Sequence, residues 1–149
     1  MNTSVILDVP GETKIEVLSN IVKTAEQKGL ITSNEKILAK LLKTIENKSD
    51  IALNGLAFPS VYFNGQMLPS SAFILSRTKN PIDFNSQDGK PVQLIALTLI
   101  KNSSTIELLK AMLSVTRLLK NVDFLKTFRY TKDSNEILLL LNEALTWKH

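Results

Sequence analysis

The order of patterns along these 149 residues predicts an α+β fold: a mixed β-sheet between two helical layers, a three-layer α/β/α sandwich. Three observations predict it. One apolar strand and two amphipathic helices come first, several strand-like stretches fill the middle, and three more helices follow, so helices and strands segregate along the chain. The stretch Gln93 to Ile100 is apolar on both faces, the mark of a strand covered from both sides. Apolar residues make up 44%, enough for a sizeable core in a chain of one-domain length.

Each element has a local signal. Val5 to Val9 is a short apolar run ended by Pro10-Gly11, a strand and its turn. Thr13 and Glu16 form a capping box, behind which Ile15, Leu18, Ile21, Val22 and Ala25 share one helical face. Gly29 suits a left-handed stop. Ser33 caps a second helix, with Ile37, Leu38, Leu41, Leu42 and Ile45 on its stripe. In the middle, Leu56 to Phe58 reads as one strand. Val61 to Leu68 reads as a hairpin around Asn64-Gly65, since Asn-Gly between apolar residues is a strong turn signal. Ala72 to Ser76 and Gln93 to Ile100 complete the strands. Ser104 with Glu107 predicts the next cap, before a stripe of Leu109, Met112, Leu113, Thr116 and Leu119. Asn121 caps a short helix carrying Phe124, Leu125 and Phe128. Asp133 and Glu136 open a last one with Ile137, Leu138, Leu141, Ala144 and Leu145.

Composition narrows function. The chain has no cysteine, which excludes disulfides, thiol nucleophiles and thiolate metal sites. Asp50, Asp83, Asp88, Glu107 and Asp123 are spread through turns and caps without metal-ligand spacing, so no metal and no cofactor is expected. The net charge of +4 comes mostly from lysine, scattered along the chain without the Arg-rich, aromatic-interleaved clustering of a nucleic-acid module. Lys101 to Ser104 precedes a helix N-terminus and reads as an ordinary cap rather than an anion site. No apolar run is long enough to span a bilayer, and Met1 to Ser4 carries no leader signal. The expectation is a soluble cytoplasmic protein with no membrane insertion.

Three segments carry a resemblance. Gly55-Leu56-Ala57-Phe58-Pro59-Ser60, Pro81-Ile82-Asp83-Phe84 and Asp88-Gly89-Lys90-Pro91-Val92 together resemble the enzyme IIA type 2 domain (fructose, mannitol or nitrogen-regulatory) of the bacterial phosphotransferase system. The likeness runs from Val5 to Leu145 and implies one such domain over residues 1–149. In that family the first motif ends in a histidine that carries the phosphoryl group. An arginine in the second helix and a second histidine near the start of the helix after the central strand support it. Here the first position is Ser60. Ungapped counting puts the arginine position at Thr44, and counting back from Arg117-Leu118-Leu119 puts the second histidine at Leu108. The chain's one histidine is His149.

The resemblance thus implies a scaffold whose transfer chemistry is degenerate. A serine nucleophile needs a base, and none is evident beside Ser60; its phosphate would be a stable ester, ill suited to onward transfer. The expected function is a catalytically inactive, regulatory or protein-binding domain. Its partner would be a protein such as a phosphocarrier, kinase or transporter. Phe58, Ser60, Tyr62, Phe63 and Met67 are the candidate binding surface, although the same aromatic residues also read as core. The alternatives are a working phosphotransferase component phosphorylated at a different residue, and a sensor that holds a neutral metabolite in the vacated pocket.

Overall fold

The computed structural model describes residues 2–46, 52–64, 68–101 and 105–146. The elements run β1 (Asn2–Val9), α1 (Lys14–Gln27), α2 (Asn34–Ile45), β2 (Ala52–Leu53), β3 (Leu56–Ala57), β4 (Ser60–Phe63), β5 (Ala72–Ile82), β6 (Val92–Lys101), α3 (Ile106–Leu119), α4 (Val122–Tyr130) and α5 (Ser134–Leu145). The sheet order is β1-β5-β6-β3-β2, with β4 also on β6. It is mixed: β1 lies parallel to β5, β5 antiparallel to β6, and β3 and β4 parallel to β6. β3 and β4 follow the same edge of β6, interrupted at Phe58-Pro59, where proline has no N–H for the ladder.

Strand alternation sends side chains into two cores. Ile74, Ile95, Leu97 and Leu99 pack with Val17, Leu18, Ile21, Ile37 and Leu41 of α1 and α2. Phe73, Leu75, Leu94 and Ala96 pack with Val115 of α3, Phe124 and Phe128 of α4, and Ile137 and Leu141 of α5. This is the expected three-layer sandwich, and every residue from Leu94 to Ile100 is buried.

β1 serves both cores through one irregularity. Val5 belongs to the α3–α5 side and Val9 to the α1–α2 side, although residues four apart on a regular strand share a face. The register shifts between Ile6 and Val9. Asp8 there adopts φ 56, a left-handed conformation that Asp tolerates better than most residues. The bulge turns Val9 over.

Most caps form as expected. The Thr13 side chain accepts from Glu16 N–H, and Glu12 N–H donates to the Glu16 carboxylate at 2.9 Å. Ser33, Asn121 and Asp133 cap α2, α4 and α5. Gly29 takes φ 76 after α1.

Four expectations are corrected. Among the described residues the Asn-Gly turn that closes a hairpin is Asn54-Gly55. β2 pairs antiparallel with β3, Leu53 opposite Leu56, around Asn54-Gly55 with φ 54 and 80, the geometry a two-residue primed turn demands. β4 pairs instead with β6 in parallel, Leu68 belongs to no strand, and Gly65 to Met67 lie outside the described residues. The α3 cap is Thr105, whose hydroxyl accepts from Leu108 N–H; Ser104 lies outside the described residues. The buried side of α3 is Leu108, Ala111, Met112, Val115, Leu118 and Leu119, whereas Leu109 and Leu113 are half exposed. Apolar residues cover two flanks of α3, with Glu107, Lys110 and Arg117 on the remaining one, so periodicity alone leaves its orientation open. Ile15 in the first turn of α1 is also exposed. Among the described residues no helix is long and apolar enough to cross a membrane.

Candidate functional site

The three resemblance segments converge at one end of the sheet. The Asp88 carboxylate accepts from Asn54 N–H at 2.9 Å and from Lys90 N–H at 3.1 Å, tying the Asn54-Gly55 turn to the Asp88-Gly89 turn, where Gly89 takes φ 72. These bonds, that from Asn54 first, hold the Asp88 carboxyl below its ordinary carboxylate range, because backbone donors favour the charged form. The Gly55 carbonyl accepts from both Gln93 and Leu94 N–H, so the first motif is bonded directly to the start of β6. Pro81 and Ile82 end β5, and Phe84 is fully buried. These residues build the platform on which Ser60 stands.

Ser60 opens β4, exposed, in register with Thr98 of β6. Val61 and Phe63 enter the α1–α2 core, so alternation points Ser60 and Tyr62 to the side covered by α3–α5. The Ser60 hydroxyl makes no hydrogen bond to another described residue. Thr44, in the last turn of α2, donates its hydroxyl to the Lys40 carbonyl at 2.8 Å and is half-buried. Leu108 is buried at the foot of α3, lining a cavity of about 490 Å³ with Thr3, Lys101, Ala111 and Asn142. That cavity does not include Ser60, and no hydrogen bond links the three positions among the described residues. Here a hydroxyl is spent on its own helix, a leucine fills space, and a lone serine faces solvent.

The candidate binding surface divides. Phe58 is 42% and Tyr62 61% exposed. Phe63 is corrected: it is fully buried, its ring 4.9 Å beneath the Lys40 ammonium, because its position in the β4 alternation faces α2. Met67 lies outside the described residues. The α3 side adds Ile106, Leu109 and Leu113 as exposed apolar residues, at i, i+3 and i+7 along one helical flank; periodicity places the last two inward.

Sequence reasoning also missed a basic cavity of about 620 Å³ lined by Arg77, Lys79, Arg129 and Lys132 with Asp8, Gln93 and Tyr130. Two of the chain's three arginines meet here, brought from β5 and α4 across 52 positions. Among the described residues no cluster of three or more metal-ligating side chains forms.

With this geometry in view, likenesses to known proteins are specific. The family model described as "Phosphoenolpyruvate-dependent sugar phosphotransferase system, EIIA 2" matches residues 2–144. A nitrogen regulatory protein of Bradyrhizobium diazoefficiens is 32% identical over 122 residues, covering 80% of this chain and 75% of that protein. Among solved structures, the nitrogen regulatory protein IIA-Ntr of Neisseria meningitidis superposes with a TM-score of 0.77 at 20% identity, covering 93% of this chain and 92% of that one. Enzyme IIAMTL of Escherichia coli, solved in complex with phosphorylated enzyme IIBMTL, superposes with a TM-score of 0.71 at 14% identity, covering 94% of each chain.

Proposed function

Because the chain belongs to the EIIA type 2 family of the phosphoenolpyruvate-dependent sugar phosphotransferase system, with nitrogen regulatory proteins among its relatives, we propose that it is a regulatory member that binds a partner protein and does not relay phosphoryl groups. The single observation that carries the reading is Ser60 at the end of the Gly55 to Ser60 motif, in a chain whose one histidine is His149. Relay requires a group that is a good nucleophile toward a phosphohistidine and then a good leaving group. Imidazole is both; a serine hydroxyl without a base is neither. Thr44 and Leu108 supply no guanidinium or imidazole to stabilise phosphoryl charge.

What remains is docking. Phe58 and Tyr62, with Ile106, Leu109 and Leu113 of α3, offer exposed aromatic and aliphatic side chains of the kind that anchor interfaces. A relative of the same fold is known in complex with another protein of its system, and by analogy a phosphocarrier, kinase or transporter is the class of partner we assign to this face. A single domain over residues 1–149 acting in the cytoplasm completes the proposal.

Incubation with phosphoenolpyruvate, enzyme I and the phosphocarrier tests it. The expected result is no acid-labile phosphate on this chain; a phosphohistidine overturns the reading. An acid-stable phosphate on Ser60, lost in Ser60→Ala, would instead favour a member switched by a kinase at its exposed hydroxyl. In parallel, Tyr62→Asp with Leu109→Asp should release whatever partner the wild type captures.

A further inference from the structure

The basic cavity between β5 and the end of α4 adjoins the motif platform without including Ser60, and we propose that it is a binding site for a small diphosphate-bearing anion. Both strands that frame it are distorted at the same level: β1 bulges between Ile6 and Val9, and β5 shifts register between Arg77 and Ile82. The space beside these distortions is lined by Asp8, Arg77, Lys79, Arg129, Tyr130 and Lys132. Its volume of about 620 Å³ is within the range of small-molecule sites.

Its charges are not all of one kind. Arg77 is committed: its Nη1 donates to the carbonyls of Phe128, Arg129 and Thr131, and its Nε and Nη2 donate to the Asp8 carboxylate. It neutralises the one carboxylate at the site and occupies the carbonyls at the end of α4, whose dipole would otherwise repel an anion. Lys79, Arg129 and Lys132 are different. None of their side chains makes a hydrogen bond or ion pair among the described residues. The site therefore presents three unmatched cations on a frame fixed by a fourth.

That balance selects the ligand class. A single phosphate group carries at most about two negative charges near neutral pH, fewer than the three cations, whereas a diphosphate matches them. Arg129 brings the fork geometry that takes two phosphate oxygens at once, and the lysines act as movable point charges. Tyr130, 72% exposed at the rim, offers a flat face to any ring attached to the diphosphate. The neighbouring cavity of Asn54, Gly55, Lys90 and Pro91 shares Gln93 with this one. The Arg129 Nη2 would lie 3.7 Å from a Cβ built on Gly55, so Arg129 stands at the junction and Lys90 extends the basic lining.

Titration of the full chain with inorganic pyrophosphate and with adenosine diphosphate, followed by calorimetry and thermal shift at low and moderate salt, tests the assignment. Both probes should raise Tm and bind more weakly as salt increases. Arg129→Gln with Lys132→Gln should weaken both by about tenfold or more, the loss of two charge-assisted contacts. Tyr130→Ala should weaken adenosine diphosphate and leave pyrophosphate unchanged if the natural ligand is a nucleotide; equal effects on both assign a free inorganic anion. Lys79→Gln, at an exposed position, gives a second variant if the double substitution lowers ligand-free Tm. Lys23→Gln with Lys36→Gln removes the same charge from α1 and α2 on the other side of the sheet and should change affinity less than about twofold. Absence of binding by both probes at millimolar concentration overturns the proposal. So does equal weakening by the α1–α2 control, which would mean general attraction to a basic surface. Tight binding of a single-stranded oligonucleotide without either small probe would also overturn it.

Discussion

Replacing Arg77 by methionine isolates what holds α4 against the sheet. The side chain is 12% exposed, while its partner Asp8 is 65% exposed. Two interactions compete to explain its worth. The ion pair to Asp8, at 3.1 Å, is open to solvent and contributes about 0–1 kcal/mol. The donors aimed at the carbonyls of Phe128, Arg129 and Thr131 are charge-assisted and half-buried, a class worth about 1.5–3 kcal/mol each before sharing. One guanidinium nitrogen serves all three acceptors, so the clamp as a whole contributes about 3 kcal/mol, and the carbonyls dominate. Arg77→Met keeps the aliphatic stem and should cost about that amount, a fall in Tm of about 6–12 °C for a chain of this length. Asp8→Asn keeps a side chain that tolerates φ 56 and can still accept a hydrogen bond; it should cost less than about 1 kcal/mol. Urea denaturation of the two single variants and the double reads both. If Asp8→Asn costs as much as Arg77→Met, the ion pair carries the stability and the ranking is wrong. If Arg77→Met is neutral, water satisfies the end of α4 without loss.

Three further outcomes are expected. Phe63→Ala should cost about 3–5 kcal/mol as a filled core site opens, whereas Phe58→Ala and Tyr62→Ala should stay within about 0.5 kcal/mol; chemical denaturation separates them, and a mild Phe63→Ala would return that residue to the surface. The Ser76 hydroxyl is fully buried with no hydrogen-bond partner among the described residues, so Ser76→Ala should stabilise by about 1 kcal/mol, read as a higher urea midpoint. Asp88 has its carboxyl lowered from 3.8 by the bonds from Asn54 and Lys90. A depressed carboxylate stabilises the fold fully above the unfolded value, and the contribution is lost as pH falls through the folded value. The stability gap between wild type and Asp88→Asn should therefore be constant at neutral pH and shrink only below about pH 3.8; a gap unchanged down to pH 2 would show that the charge plays no part.

Much of this fold is legible in the chain. Caps at Thr13, Ser33, Asn121 and Asp133 are local chemistry, each a side-chain oxygen meeting a free N–H within three residues, and need no tertiary information. β6 is legible because a strand buried on both faces must be apolar throughout. The misreadings arise where one local signal fits two places or two orientations. Asn54-Gly55 and Asn64-Gly65 are identical dipeptides, and nothing in the dipeptide itself says that Asn54-Gly55 joins β2 to β3 while β4 pairs with β6. α3 has leucine on two of its flanks, so the sheet beneath it, not the spacing, chooses Leu108 over Leu109. The platform around Ser60 was legible through the resemblance carried by three motifs, which the structure ties together where Asp88 accepts from Asn54 N–H and Gly55 accepts from Gln93 and Leu94 N–H. The Arg77 and Arg129 cavity was not, since its residues are remote in sequence and carry no motif. Scattered lysines look alike until the backbone gathers some of them.

The bulge at Asp8 has a consequence beyond turning Val9 over. β1 lies at one edge of the sheet, and a straight outer strand offers an unpaired row of amides on which a neighbouring chain can grow a new ribbon. The kink at Asp8 breaks that row before it reaches the end of the strand, and a carboxylate sits at the break. A chain lacking this one residue would align Val5 to Val9 into an unbroken template, and its first symptom would be self-association during refolding rather than a lower melting point.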